Sequence, residues 1–281
     1  MKKHIFTLIT ATLVILGLFL PLKSYGQDEK KFVNTYLTSL PKIKTENVLR
    51  KYRMTTIHIN RDLLGNFTNK TRITGEYTRG FSDGHMTWNN AVISHSDSYD
   101  GEFPAGIRQE YMENFSYGPT DDMLSAGAFK SFPATPDNVL ARNLVWDMIT
   151  FETYAWMFWD SLELNVPYVV RQINGEFNMA EIGTYNHNVI TICWKGITTI
   201  EGELCAVIDF NAIDNLLNLS MEMFKSKGTE QYWGTTWVSL KTRNIEKALM
   251  YGGVMQEIEI SGMPQKMLIK TVRELWLEPV K

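Results

Sequence analysis

The sequence predicts a mainly β protein, a curved antiparallel sheet in a half-barrel-like meander wrapped on one long central helix. Three observations lead there. Alternating apolar and polar segments, each followed by a turn set, occupy both flanks of the chain. A single central stretch, 136–162, breaks that alternation and follows helical spacing. No internal repeat, low-complexity tract or Pro/Gly/Ser-rich linker divides residues 27–281, which read as one domain.

The first strands are YRMTTIHIN (52–60), TRITGEYTRGF (71–81) and HMTWNNAVIS (85–94), with Ser82-Asp83-Gly84 as a turn. AGIRQEYMENFSY (105–117) is a further candidate. Late in the chain LNLSMEMF (217–224) alternates Leu217, Leu219, Met221 and Met223 with polar residues. YWGTTWVSL, NIEKALMYG, VMQEIEIS and KMLIKTVRELWL then follow at about ten-residue spacing, with KTRN, GG and GMPQ between them as turns. This is a meander with one wet and one dry face.

The helix has three start signals: Thr135 as N-cap, Pro136 at the first helical position and Asp137 in the first turn. Asn165 and Pro167 supply a stop. At 100° per residue Leu140, Leu144, Met148, Phe151, Ala155 and Phe158 share a broad apolar side with Trp159 and Leu162. Asp147, Thr150, Thr153, Asp160 and Ser161 fall opposite, and the helix is expected to bend or split near 147–150.

Residues 1–26 read as a secretory signal peptide. Lys2 and Lys3 precede the apolar run Ile5–Leu20, and Ser24 and Gly26 suit a cut before Gln27. The competing reading is an N-terminal membrane anchor, but the run is short for a span and Pro21 follows it. A periplasmic or secreted location follows, with no transmembrane segment once the signal is removed. No Cys precedes Cys193, so a lipid anchor is not expected. Cleavage removes three lysines and no acid, which takes the formal charge from −3 to −6. Such a surface has no general attraction for nucleic acid.

Cys193 and Cys205 lie on two strands joined at Glu201-Gly202. In that hairpin Cys205 opposes Thr198 and Cys193 opposes Phe210, so the sulfurs face apart and free thiols are expected. A bulge at Gly196 would shift the register.

The sequence offers little reactive chemistry. His58, His85, His95 and His187 have no paired metal-ligand spacing, and no CxxC exists. HSDSYDGE (95–102) reads as a solvated acidic turn. No nucleophile elbow or phosphate-cradling loop is present. No metal or cofactor is therefore expected. Four N-x-[ST] sequons carry little weight here. Trp233 and Trp237 share one strand face and read as core before a stacking platform. Asp209 reads as a solvent-facing strand residue.

FETYAWMFWD (151–160) is the densest aromatic stretch, and Glu152 falls inside its apolar arc. A carboxylate there needs a partner, such as an Arg on the sheet, or serves as a polar anchor in an apolar pocket. The candidate ligand-binding residues are Phe151, Glu152, Trp156 and Trp159.

WKGITTIEGELCAVIDF and YWGTTWVSLKTRNIEKALM, within 189–277, resemble the curved half-barrel of bacterial lipoprotein-carrier and related periplasmic proteins, and exported bacterial proteins of no assigned function. The resemblance implies a sheet that holds an acyl chain or other hydrophobic ligand on its concave face; no functional residue carries over. The leading expectation is an exported, non-catalytic binding protein for a lipid, another apolar ligand or an apolar partner segment. The alternatives are a cell-envelope enzyme using paired carboxylates on glycans, and a structural or interaction module.

Overall fold

In the computed structural model, the described residues are 49–80, 85–133, 135–222 and 224–280. The residues read as a signal peptide, the segment that follows them to 48 and the expected turn at 82–84 lie outside them.

The described chain forms one open sheet, whose strands all pair antiparallel, and one long helix. The first three strands are β1 (Arg50–Arg61), β2 (Phe67–Arg79) and β3 (Met86–Ser96). They are followed by the short β4 (Ile107–Arg108) and β5 (Phe115–Tyr117), then by helix α1 (Pro136–Glu152). Beyond the helix come β6 (Tyr168–Val170), β7 (Gly175–Asn178), β8 (Gly183–His187) and β9 (Val189–Ile200). The long strands β10 (Glu203–Ser220), β11 (Phe224–Ser239), β12 (Ile245–Ile260) and β13 (Met267–Pro279) complete the sheet. Its main path runs β4-β3-β2-β1-β13-β12-β11-β10-β8-β7; β5 joins β3, and β9 lies on β10 and β6.

Several segments differ from the sequence reading. The candidate strand 105–117 is only β4 and β5, separated by a 3₁₀ turn at Glu110–Met112. Asn114 takes a left-handed conformation there (φ 57°), which breaks an extended run. LNLSMEMF is not a strand of its own: it holds the end of β10 and the start of β11. Gly252-Gly253 is not a turn, because NIEKALMYG and VMQEIEIS form the single strand β12. The ladder passes straight through, with Gly252 opposite Tyr232 on one side and Arg273 on the other.

The hairpin β9–β10 has the expected turn, with Glu201 and Gly202 both at positive φ, and Cys205 opposes Thr198. A bulge between Val207 and Ile208 of the ladder moves Cys193 opposite Asp209 rather than Phe210. Both cysteines are free and buried. A second irregularity between Ala212 and Asn215, with Asp214 at φ 57°, bends β10. Its first part pairs with β9 and its last part with β8.

Helix α1 begins where expected. The Thr135 side chain makes no capping bond; Asn138 Nδ2 instead donates to the Pro133 carbonyl at 2.8 Å. Regular α geometry ends at Glu152, short of the expected 162. A π turn (Thr153–Met157) and a 3₁₀ turn (Trp159–Ser161) extend the helical path. Leu144, Met148, Phe151 and Ala155 are fully enclosed, as the apolar side predicts.

The sheet curves around this helix. Phe151 meets Phe210 of β10 edge-to-face, with ring centroids 6.1 Å apart. The next residue, Glu152, bonds Tyr77 and Arg79 of β2. Those strands are five places apart, about 24 Å in a flat sheet at ~4.8 Å per strand. Neighbouring residues of a helix about 10 Å across can touch both only if the sheet wraps it.

Candidate functional site

Wrapping leaves a cavity of about 550 Å³ on the side of α1 that the sequence reads as polar. Trp146, Asp147 and Thr150 of α1, with Thr153, Tyr154 and Met157 of the π turn, form one wall. Tyr185, His187, Glu230, Tyr232, Met250 and Arg273 form the sheet wall. The segments 121–124 and 173–177 border it. The first is tied to the helix by the Trp146 indole N–H, which donates to the Met123 carbonyl at 3.1 Å.

At the polar end, Arg273 donates from Nη2 to Asp147 Oδ2 at 2.6 Å and from Nη1 to Glu230 Oε1 at 3.1 Å. All three residues are buried. Burial pushes the Asp147 carboxyl above its usual range, and the Arg273 guanidinium opposes that shift. The two carboxylates keep Arg273 charged. To reach β11 from β13, Arg273 crosses β12 at Gly252, where no side chain blocks the lane. On its other side stands His58, whose pKa burial lowers to about 3, with the Arg273 charge adding to the effect.

A second polar line runs along the sheet. His187 Nε2 lies 3.1 Å from the Tyr232 hydroxyl, which lies 2.7 Å from the Tyr154 hydroxyl. Burial lowers the His187 pKa, so this imidazole is neutral at pH 7, and raises both tyrosines. Tyr185 packs edge-on against His187 at 5.0 Å, and its buried hydroxyl stands close to the Glu230 carboxyl.

The residues singled out from sequence lie elsewhere: none of the four lines this cavity. Phe151 is core. Glu152 accepts from the Tyr77 hydroxyl at 2.7 Å and pairs with Arg79 Nη1 at 2.5 Å, the sheet partner that its position demanded. Burial raises its pKa against the pull of Arg79. That guanidinium also sits 4.5 Å above the Trp156 ring, whose N–H donates to the Arg243 carbonyl at 2.7 Å. Trp159 stacks on Trp194 at 6.3 Å beneath Arg243. The structure thus joins Glu152 to Trp156 through Arg79, and Trp156 to Trp159 through Arg243. Trp233, expected in the core, is 49% exposed and stacks on Tyr251 on the outer face. Asp209 is on that face too, accepting from Thr235 at 2.7 Å.

The cavity residues do leave a sequence signal. In β13, Thr271, Arg273, Leu275 and Leu277 share the dry face; in β11, Glu230 shares it with Tyr232, Thr236 and Val238. A charge on the dry side of an alternating strand raises the same question as Glu152 on its helix.

No protein-family model matches the sequence, and no curated protein matches it. Among solved structures, a DUF1329 family protein from Desulfovibrio piger is similar at 7% identity, covering 89% of this chain and 93% of that one, with a TM-score of 0.16. At that score the likeness carries no argument about fold or function.

Proposed function

We propose that the protein is an exported, non-catalytic binding protein that holds a small apolar ligand between α1 and the sheet. The observation that carries this reading is the cavity itself. Its volume lies in the range of ligand sites, about 300–1,000 Å³, and its walls set aromatic and methionine side chains beside converging polar and charged groups. Export is supported by the signal-like pattern of residues 1–26.

The enzyme alternative needs two carboxylates free to act as acid and base or nucleophile. Asp147 and Glu230 do share the cavity wall, but one guanidinium binds both. That use favours a rigid wall over a reacting pair.

The purified protein should gain thermal stability with a neutral apolar probe such as dodecanol. A ligand at a hundred times its Kd stabilises by about 2.7 kcal/mol. Thr153→Trp, which fills the cavity, should remove the gain while the unliganded variant stays folded. Equal shifts in the parent and the variant, or no shift with any apolar probe, would defeat the reading.

A further inference from the structure

We propose that the cavity selects its apolar ligand by a hydrogen-bond-donating head, cationic or uncharged, and excludes an anionic head such as a carboxylate. This rests on the binding reading above and names the ligand chemistry of the same site.

The argument starts from the charges on the walls. Among the lining residues stand five carboxyl side chains, Asp121, Asp122, Asp147, Glu176 and Glu230, and one guanidinium, Arg273. Asp121, Asp122 and Glu176 are exposed at the rim, so an approaching anion meets them first. Inside, Arg273 already serves Asp147 and Glu230. Burial keeps His187 and His58 neutral, so neither adds a positive charge. With Asp147 ionised the inner triad carries one negative charge; with Asp147 protonated it carries none. In neither state does it offer a net countercharge to an anion, and burying an anion without one is strongly unfavourable.

The second oxygens of the inner carboxyls point the same way. Each inner carboxyl gives one oxygen to Arg273, which leaves Asp147 Oδ1 and Glu230 Oε2 to accept from a donor. A hydroxyl or ammonium at this end meets acceptors already in place. A carboxylate there would face like charge.

The test compares dodecylamine, dodecanol and dodecanoate at pH 7, each below its solubility or micellar limit, by calorimetric titration of the purified protein. The amine and the alcohol should bind at least about tenfold more tightly than dodecanoate, a gap of ~1.4 kcal/mol. Thr153→Trp should abolish both, which separates cavity binding from adsorption to an acidic surface. Glu230→Gln should narrow the gap between amine and carboxylate. Should that variant fail to fold, Asp147→Asn serves in its place and should narrow the same gap. Dodecanoate binding as tightly as the amine overturns the head selection and leaves the cavity reading standing. Amine binding that persists in Thr153→Trp also overturns it. Failure of all three probes removes the binding reading itself.

Discussion

Glu152 is the residue whose position most needed a reason, and Arg79 with Tyr77 is that reason. A buried carboxylate stripped of its cation keeps its desolvation cost without the attraction. Arg79→Met should therefore destabilise the protein by about 3 kcal/mol, read from urea unfolding. His58 makes a different prediction. Its pKa falls from 6.5 to about 3 on folding, so between those values the unfolded chain binds the proton and the native chain does not. The stability it contributes is complete above pH 6.5 and is lost as pH falls toward 3. Across that window the slope is about 1.4 kcal/mol per pH unit. Glu152 and Asp147, with raised pKa values, work in the opposite direction. The measurement is thus the difference between parent and His58→Asn profiles, and parallel profiles would show that His58 is not the source. Glu152 stands out in the sequence as a charge on an apolar face, yet its partners lie on β2, which local periodicity does not identify.

At the scale of elements, the long strands decide the site. Gly252 looked like a turn because a Gly-Gly pair separates two alternating runs. In the sheet it is the gap through which Arg273 reaches from β13 to Glu230 on β11. A Cβ at Gly252 would come no closer than 3.5 Å to any neighbour, so Gly252→Ala should be nearly neutral. Gly252→Leu places a branched side chain in the lane of Arg273. It should cost about 3 kcal/mol by breaking the Arg273–Glu230 bond, with the loss read by chemical denaturation of the two variants side by side. Equal stability of the two would mean that the lane is wider than the register implies. Strand existence was legible from alternation, and the β9–β10 turn from Glu201-Gly202. Strand length was not, because a glycine pair or a bulge at Asp214 has the same local pattern as a turn. The helix start was legible from Pro136 and Asp137. Its π turn was not: there Tyr154 and Trp156 bond Tyr232 and Arg243, residues far along the chain that local spacing does not identify.

For the whole molecule, one helix holds two distant parts of a single sheet. Phe151 anchors β10 and Glu152 anchors β2, so losing either contact should loosen both flanks together. Phe151→Ala should cost about 3–5 kcal/mol. Both it and Arg79→Met should lower one common unfolding transition, with far-UV circular dichroism and tryptophan fluorescence coincident; a transition that splits in two would show that the flanks are independent. By itself the sequence determined a mainly antiparallel sheet, one central helix with its apolar side, free cysteines and a carboxylate at 152 in need of a partner. Those features are set by local periodicity, turn chemistry and the cost of burying charge. Tertiary structure alone decided that the helix is enclosed on its polar side as well. A helical wheel separates Asp147, Thr150 and Thr153 from the apolar residues, and a single sheet face would leave them in water. The curvature of the sheet brings Glu230 and Arg273 to that side instead, and curvature belongs to the sum of strand lengths, bulges and twist rather than to any one segment.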